Sequence, residues 1–385
     1  MKVLVIPSWY PTGEDKLMGN YHKEFTEALN KEGIPANMLF IDRQRITKPI
    51  KYLFSKKKEV DVESNYKVYK YKMLNLASIN FDIQQKFYYK KMLKAFKNYI
   101  KIEGKPDIIH AEVTIPAGYA ACKIGRKFHI PVIITEHFSK YERFFSNPTY
   151  SKYGNYVLKN STFSTVSNYM KQKMLKYTKE CYIIPNLVDV EIFKNKTKRP
   201  VKDTFNLVSF CALREGKKIE NIFGAMNILI NQGIRNIHLD VIGDGFLEEY
   251  YKEECSKLNL SKYVSFLGRK TKQEISKILE HENALVISSE LETFAIPGIE
   301  ALASGIPVIS TKCLGPEEYI DEKCGVLCKV NDVEDLAKAI KKVIENYDNY
   351  DPLYLNSVAD KFSSKQVIKN TEKIYKKIIR DYKRL

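Results

Sequence analysis

The chain has 385 residues, 44% hydrophobic and 28% charged, an ordinary globular composition with room for two domains of usual size. It contains no run of 18 apolar residues, and residues 1–7 are too short for a signal peptide, so we expect a cytosolic protein without a membrane span. The seven cysteines are scattered, and even Cys324 and Cys328 lack a second Cys or His pair at zinc spacing, which predicts ordinary buried thiols.

The net charge of +17 belongs to the first half of the chain. Residues 1–200 carry a net charge of +18, and residues 201–385 carry −1. This asymmetry indicates an anionic partner for the first half.

The densest basic runs are residues 44–58, around Arg45, and residues 86–101. In the second run Phe87, Leu93, Phe96 and Ile100 recur at helical steps between lysines, as in an amphipathic helix lying on an anionic membrane. A solvated helix packed on its own domain is the alternative, and we do not expect nucleic acid as a partner.

Short β-rich runs alternate with longer helical patterns along the first half. We predict helices at about 20–32, 83–102, 116–127 and 168–178. The predicted strands are Lys2–Ile6, Asn37–Ile41, Ile108–Ala111, Pro131–Thr135, Phe163–Val166 and Cys181–Ile184.

The second half repeats this rhythm. Helices are predicted at about 218–232, 246–258, 272–280, 297–304 and 332–346. The predicted strands are Asn206–Phe210, His238–Ile242, Val264–Leu267, Ala284–Ile287, Val308–Ser310 and Gly325–Cys328.

The alternation predicts an α/β fold of two doubly wound, Rossmann-like parallel sheets that face each other across a cleft. The polar stretch from Val188 to Thr204 separates the two patterns. We therefore predict an N-terminal domain over 1–190 and a C-terminal domain over 200–365. A basic helix at about 366–385 is too long for the last strand alone, and we expect it to cross back to the first domain.

Polar and aromatic side chains follow several strands of the first domain. The loop after the first strand carries Trp9, the single tryptophan, for which core packing is an equal alternative. His110 and His137 each end a predicted strand, where a parallel sheet binds ligands. The alternative for each histidine is a buried imidazole with satisfied hydrogen bonds.

Two cationic side chains lie between a strand and a helix in the second domain. Arg214 and Lys217, with Lys218 as the alternative lysine, suit a diphosphate, although a solvated helix start has the same composition. The turn at Gly243 lacks the third glycine of a dinucleotide fingerprint, and the chain has no P-loop motif.

Residues 284–310 combine a buried strand, a polar turn, a helix that opens with Pro297 and a second buried strand. Amides at the start of such a helix favour an anionic group. Glu292 and Glu300 flank these amides and could bind hydroxyl groups on either side of a diphosphate. A plain βαβ unit whose glutamates cap the helix is the alternative.

The stretch from Glu292 to Glu300 resembles the Glu-x7-Glu signature of glycosyltransferase family 4, whose members are retaining enzymes with the GT-B fold. The resemblance covers nearly the whole chain, is weakest between residues 42 and 105, and departs at Thr293 and Ala295, where glycine is usual. It implies transfer of a hexose or N-acetylhexosamine from a nucleotide diphosphate sugar, UDP-linked first and GDP-linked second. Because two cations can replace a metal ion, we expect no metal or other cofactor.

The resemblance also assigns roles to individual residues. Glu292 and His137 would contact the donor sugar, Glu300 the nucleotide ribose, and Arg214 and Lys217 the diphosphate, which makes His137, Glu292, Arg214 and Lys217 the candidate catalytic residues. In the loop after the first strand Gly19 is preferred to Gly13 for a main-chain approach to the phosphates. The other candidate donor contacts are Gly243, Gly268, Arg269, Lys218, Thr293, Phe294, Ala295 and Ile296. By the same resemblance the N-terminal domain would bind the acceptor, and the candidate acceptor contacts are Trp9, His110, Glu136 and Arg143.

The basic first half and the transferase signature together indicate a glycan or polyprenyl-diphosphate-linked acceptor at the inner face of the plasma membrane, as in bacterial capsule or lipopolysaccharide synthesis. Two other functions fit parts of the pattern. One is a nucleotide-sugar epimerase on the same fold, and the other is a non-catalytic module that binds anionic membranes.

Overall fold

The computed structural model describes residues 1–11, 19–45, 56, 58–76, 80–197, 199–201 and 203–384. Gly13 and most of the basic run at 44–58 lie outside these residues. The chain divides into two compact units. Unit 1 comprises Met1–Leu187 and Ser364–Leu385, and unit 2 comprises Val188–Ser363. The division therefore falls at the start of the polar stretch that separates the two sequence patterns.

Unit 1 is built on a sheet of eight described strands in the order β3-β4-β2-β1-β5-β6-β7-β8, parallel except for the antiparallel pair β3–β4. The first strand is central, because Val3 pairs with Ala36 on one side and with Ile108 on the other. The strands are β1 Val3–Pro7, β2 Ala36–Arg45, β3 Lys58–Val62, β4 Lys67–Asn75, β5 Ile108–Glu112, β6 Val132–Glu136, β7 Thr162–Thr165 and β8 Cys181–Ile183.

The helices of unit 1 begin and end at residues that suit a helix terminus. The side chain of Asn80 accepts a hydrogen bond from the Ile83 amide at the start of α2, and Asn147 precedes a proline at the first position of α5. The helices that precede the second unit are α1 Asn20–Lys31, α2 Phe81–Glu103, α3 Tyr119–Phe128, α4 Arg143–Ser146, α5 Pro148–Asn160 and α6 Asn168–Met174.

Unit 2 contains a sheet of six described strands in the order β11-β10-β9-β12-β13-β14, all parallel. Its strands are β9 Phe205–Phe210, β10 Ile237–Ile242, β11 Val264–Gly268, β12 Ala284–Ile287, β13 Val308–Thr311 and β14 Gly325–Cys328. Its helices are α7 Val190–Phe193, α8 Ile219–Asn231, α9 Glu248–Lys257, α10 Lys272–Leu279, α11 Ile296–Ala303, α12 Val333–Glu345 and α13 Pro352–Asp360. The predicted α/β fold of two parallel-sheet domains is confirmed.

The last helix, α14 Ser364–Tyr382, belongs to unit 1. Its apolar face joins the hydrophobic core through Val367, Ile368 and Tyr375, which pack in one cluster with Phe25 and Leu29 of α1. Burial of these side chains stabilises the helix on the unit that begins the chain. The expectation that the C-terminal helix returns to the first domain is confirmed.

Two predictions for unit 1 fail at particular residues. Strands β3 and β4 were not predicted, because β4 alternates lysines with buried tyrosines such as Tyr69 and Tyr71, a period of two that resembles a charged surface segment. Of the apolar residues predicted to form one stripe on α2, Phe96 is buried but Phe87 is 52% exposed. They do not share one face, because the buried face carries Tyr88, Met92, Ala95, Phe96 and Tyr99.

Candidate active site

In unit 2 the loops that follow β9 and β12 are joined by hydrogen bonds. The Glu290 amide donates to the carbonyl of Gly216 (2.8 Å), and the Ser288 hydroxyl donates to the carbonyl of Lys217 (2.9 Å). Both strands are parallel neighbours, so their carboxyl ends lie at the same edge of the sheet. The sequence segments at 214–218 and 288–300, which lie far apart in the chain, therefore form one loop cluster.

An ion pair lies at the centre of this cluster. Lys217 Nζ donates to Glu292 Oε1 at 2.5 Å, and the Ser289 hydroxyl donates to the same oxygen at 2.7 Å. Both charged side chains are 16% exposed, so the pair is partly shielded from water while remaining accessible. A lysine and a carboxylate held together in this way present one cation and several hydrogen-bond acceptors to a ligand.

Lys218 lies apart from this pair. It precedes α8 in a left-handed conformation (φ 56°), and its Nζ lies 3.4 Å from Glu290 and 3.8 Å from Glu220. The structure thus gives the two adjacent lysines different carboxylate partners. Arg214, at the start of the same loop, is exposed, and no ion pair involves it within the described part of the chain.

Helix α11 starts at the same loop cluster. Ala295, the residue before it, has a left-handed backbone (φ 64°), and its carbonyl accepts hydrogen bonds from Tyr319 Oη (2.9 Å) and the Gly298 amide (3.1 Å). This is a conformation that glycine adopts more easily than alanine. Phe294 is buried and Glu300, one turn into the helix, is 5% exposed, whereas Thr293 and Ile296 are half-buried.

The turns after β10 and β11 complete this edge of unit 2. The Gly243 amide donates to the carbonyl of Gly268 (3.0 Å), and a Cβ atom at Gly243 would lie 1.9 Å from the carbonyl oxygen of Cys211. Arg269 is paired with Asp244 at 2.8 Å and is mostly exposed. Burial raises the pKa of the Cys211 thiol to about 11, so this cysteine is protonated and is a poor nucleophile.

In unit 1 Glu112, the last residue of β5, lies among three imidazoles. Its Oε2 accepts a hydrogen bond from His137 Nε2 (2.7 Å) and lies 3.7 Å from His22 Nδ1, and its Oε1 lies 3.5 Å from His110 Nε2. Burial alone would raise the pKa of Glu112, but the imidazoles of His110, His137 and His22 outweigh burial and hold this pKa well below its usual range. Burial lowers the pKa of His22 to about 4 and lowers that of His110 as well. The Glu112 carboxylate is therefore ionised, and His22 is neutral near pH 7.

His22, Glu112 and His137 also offer three ligand atoms within 4.8 Å of one another, a donor set that suits Zn²⁺. However, the 2.7 Å between His137 Nε2 and Glu112 Oε2 is a hydrogen-bond distance. Two ligands of one tetrahedral zinc ion lie about 3.3 Å apart. The geometry fits a hydrogen-bonded pair more closely than a shared metal ion.

Two of the candidate acceptor contacts are already occupied within unit 1. His110 is fully buried, with Nδ1 2.5 Å from Tyr375 Oη and Nε2 2.6 Å from Thr135 Oγ1. Glu136 is also fully buried, and it accepts hydrogen bonds from both the amide and the hydroxyl of Thr114. We therefore revise the prediction for these two side chains, because neither has surface available for an acceptor in this structure.

The other two candidate acceptor contacts remain accessible. Arg143 is exposed and lies over three aromatic rings, at 4.9 Å from the centroid of Phe138, 5.2 Å from Tyr150 and 5.5 Å from Phe144. Trp9 is half-buried. A Cβ at Gly19 (φ 80°) would lie 2.6 Å from the Trp9 carbonyl carbon, so glycine is required for the close approach of these two segments.

Glu112, Tyr21 and His22 also belong to the polar cluster around His137, although no sequence motif indicated them. Glu112 follows His110 by two residues in the same buried strand, and an acidic residue in such a strand is a signal in itself because buried carboxylates are rare without partners. Tyr21 and His22 lie in the first turn of α1, where only tertiary contacts bring them to His137.

The sequence matches two family models, one over each half. Residues 20–192 match the model described as Glycosyltransferase Family 4, and residues 189–357 match the model described as Glycosyl transferases group 1. An uncharacterized glycosyltransferase of Methanocaldococcus jannaschii is 29% identical over 296 residues, which cover 74% of this chain and 79% of that protein. The N-acetyl-alpha-D-glucosaminyl L-malate synthase of Bacillus anthracis is 24% identical over 302 residues, which cover 72% of this chain and 76% of that protein.

The fold has counterparts among solved structures. The Anabaena protein HepE in complex with UDP superimposes with a TM-score of 0.74 at 17% sequence identity, covering 98% of this chain and 100% of that one. At this level of identity the similarity shows the shared fold. With both halves matched by glycosyltransferase models, the chain is a glycosyltransferase of the GT-B superfamily, in which a family 4 domain precedes a group 1 domain.

Proposed function

We propose that this glycosyltransferase moves a hexose or N-acetylhexosamine from a nucleotide diphosphate sugar to a glycan or polyprenyl-diphosphate-linked acceptor, with retention of anomeric configuration. The observation that carries the proposal is the loop cluster of unit 2, where the Lys217–Glu292 pair lies beside the start of α11 and Glu300. The cation and the helix amides suit a diphosphate, and the two carboxylates can accept hydrogen bonds from sugar and ribose hydroxyl groups.

In the proposed reaction the bond between the anomeric carbon and the β-phosphate oxygen breaks, and a bond from that carbon to the acceptor oxygen forms. The acceptor hydroxyl gives its proton to the departing phosphate. Lys217, Arg214 and the amides at the start of α11 stabilise the negative charge that develops on the phosphate. Because these groups supply positive charge, we propose that the reaction needs no metal ion.

The remaining donor contacts follow the family resemblance. Glu292 and His137 bind sugar hydroxyls, and Glu300 binds the ribose. Main-chain groups near Gly19, Gly243, Gly268, Arg269 and Thr293–Ile296 approach the nucleotide and sugar. The structures of Anabaena HepE contain UDP, UDP with glucose, and UDP-glucose, which supports a uridine donor before a guanosine donor for this chain.

A panel of UDP- and GDP-sugars tests the donor. We expect at least one nucleotide sugar to raise the melting temperature of the protein, because a ligand that binds only the folded state stabilises it by about 2.7 kcal/mol at 100 times its Kd. Glu300→Gln should reduce this shift, because the amide replaces a buried carboxylate at the proposed ribose contact. If no member of the panel shifts the melting temperature, the donor proposal is wrong. Conversion of the donor to an epimer without an acceptor would indicate an epimerase instead.

We also propose that unit 1 contacts an anionic membrane through α2, which fits an acceptor at the inner face of the plasma membrane in capsule or lipopolysaccharide synthesis. Lys86, Lys90, Lys94, Lys97 and Lys101 are exposed and recur at three- and four-residue steps along the helix. Phe87 and Ile83, also exposed, lie beside the start of this lysine stripe. None of the helices in the described part of the chain is long and apolar enough to cross a bilayer.

Vesicle binding tests the lysine stripe. Each lysine near an anionic surface contributes about 1 kcal/mol, so replacing Lys90, Lys94 and Lys97 with glutamine is expected to weaken binding to phosphatidylglycerol vesicles about 100-fold. A matched variant in unit 2, with Lys257, Lys262 and Lys342 changed to glutamine, should bind almost as well as the original protein. Equal losses in both variants, or no difference from phosphatidylcholine vesicles, would contradict a specific membrane face.

A further inference from the structure

Among the described residues of unit 1, nine buried side-chain nitrogen or oxygen atoms have no hydrogen-bond partner, and two of them belong to neighbouring rings. Tyr21 Oη and His137 Nδ1 are both buried and unpaired. The two side chains are neighbours, with ring centroids 4.4 Å apart, and both line a small cavity together with Glu112 and Thr135. Buried polar atoms that remain unpaired destabilise a protein unless a ligand or water satisfies them, so these two atoms indicate a binding position for a polar group.

The proton on His137 can be assigned from its partner. The ionised carboxylate of Glu112 can only accept hydrogen bonds, and its Oε2 lies 2.7 Å from His137 Nε2, so this nitrogen carries the proton. In the neutral imidazole the other nitrogen, Nδ1, then has a free lone pair and acts as an acceptor. Glu112 thereby determines which kind of hydrogen bond His137 can offer to a ligand.

The main chain of His137 is also held in place, by the buried carboxylate of Glu136. Glu136 Oε1 accepts hydrogen bonds from the His137 amide (3.0 Å) and the Phe138 amide (2.9 Å), while Thr114 binds the other oxygen of Glu136. Two buried carboxylates therefore position one imidazole, one through its ring and one through its main chain. This arrangement fixes the direction of Nδ1 before any ligand binds.

We propose that Glu112 and Tyr21 complete, with His137, a binding position for one sugar hydroxyl group. The hydroxyl donates its proton to His137 Nδ1 and accepts a hydrogen bond from Tyr21 Oη, which satisfies both unpaired atoms with a single group. Glu112 is a positioning residue that acts through His137. The inference rests on the proposed function and adds Glu112 and Tyr21 to the proposed site. It also specifies the substrate class: sugars that present a hydroxyl group, rather than a carboxylate, at this position. The hydroxyl belongs to the donor sugar or to the acceptor sugar.

The protonation of His137 can be measured without any substrate. In protein labelled with ¹⁵N at its six histidines, His137 is identified by the signals lost in His137→Asn. We expect a protonated Nε2 and an unprotonated Nδ1 in the original protein, and a loss of this preference in Glu112→Leu. If that variant does not fold, Glu112→Gln serves instead, since its amide can donate to Nε2 and raise the population with a proton on Nδ1. Glu180→Gln, which alters an exposed hydrogen-bonded carboxylate of the same unit, should leave the signals unchanged.

Two probes distinguish the source of the hydroxyl. UDP-glucose represents the donor, methyl α-D-glucopyranoside represents a free sugar, and UDP is the control without a sugar. We expect one of the two sugar probes, but not UDP, to shift the His137 Nδ1 signal. Tyr21→Phe should weaken the binding of that probe about five- to tenfold, because it removes one hydrogen bond and keeps the ring.

Three results would overturn the inference. The first is a proton on Nδ1 in the original protein, and the second is a zinc-dependent loss of the Nε2 proton, which would indicate a metal site. The third is UDP-glucose binding that is unchanged in Tyr21→Phe and His137→Asn while neither sugar probe shifts the Nδ1 signal. In that third case the proposed donor function stands and only the hydroxyl position fails, whereas a protein that binds no nucleotide sugar loses both.

Discussion

Replacing Lys217 with alanine is expected to lower the rate of donor cleavage by about 100- to 1000-fold, whereas Lys218→Ala should change it by less than about twofold. Removing one preorganised group that stabilises a developing anion typically costs an enzyme this much in kcat. Lys217 Nζ forms an ion pair with Glu292 in the loop cluster, whereas Lys218 Nζ forms ion pairs with Glu290 and Glu220. The two variants differ by one position in the chain and remove the same charge, so each controls for the other.

The measurement is the release of nucleoside diphosphate from the donor identified in the thermal-shift panel. It requires no knowledge of the acceptor, because water can replace the acceptor in a slow background reaction. Equal effects of the two alanine variants would show that only the net positive charge of the loop matters. A large loss in Lys218→Ala with normal activity in Lys217→Ala would reverse the assignment.

The sequence could predict the fold and the donor segment but not the choice between these lysines. Strand–helix alternation has a clear period, and the Glu-x7-Glu stretch lies within one continuous βαβ segment, so local patterns were sufficient. The direction of each lysine depends instead on Gly216 and Lys218, both of which have positive φ angles, and on a hydrogen bond from Glu290 in a distant loop. Backbone geometry of this kind is decided by tertiary contacts.

The polar network of unit 1 shows the same limit. The sequence suggested that His110 and His137 each end a strand and have a similar ligand role, but His110 lies in the middle of β5 and His137 follows β6. The structure separates them, because Tyr375 of the last helix and Thr135 occupy the two nitrogens of His110. Tyr375 lies 265 residues after His110 in the chain, so no local pattern could have shown that this imidazole is satisfied.

The segment Cys313–Gly315 is hydrogen-bonded to the loop that carries Glu292. No sequence pattern indicated this contact. The Glu292 amide donates to the carbonyl of Cys313 (2.8 Å), and the Gly315 amide donates to the carbonyl of Glu292 (3.0 Å). A Cβ atom at Gly315 would lie 2.6 to 2.8 Å from the main chain of Phe294. The glycine therefore allows two backbones to approach directly beneath the residues that precede α11.

Gly315→Ala is expected to lower kcat/KM for the donor by about 100-fold, although Gly315 itself is proposed to touch no substrate. The added methyl group must push the Phe294 backbone away, and a displacement of about 1 Å in a substrate-binding loop can cost about 100-fold in rate. Overpacking should also lower the free energy of unfolding by about 1–3 kcal/mol.

Gly233→Ala is the matched control for this variant. At Gly233 (φ 94°) a Cβ would meet no atom within 4 Å, so alanine there introduces backbone strain of about 1–2 kcal/mol without a clash. We expect similar melting temperatures for the two variants but donor cleavage at the original rate only in Gly233→Ala. If Gly315→Ala also cleaves the donor normally, the position of the Glu292–Ala295 loop does not limit the reaction, and the role proposed for these backbone groups is wrong.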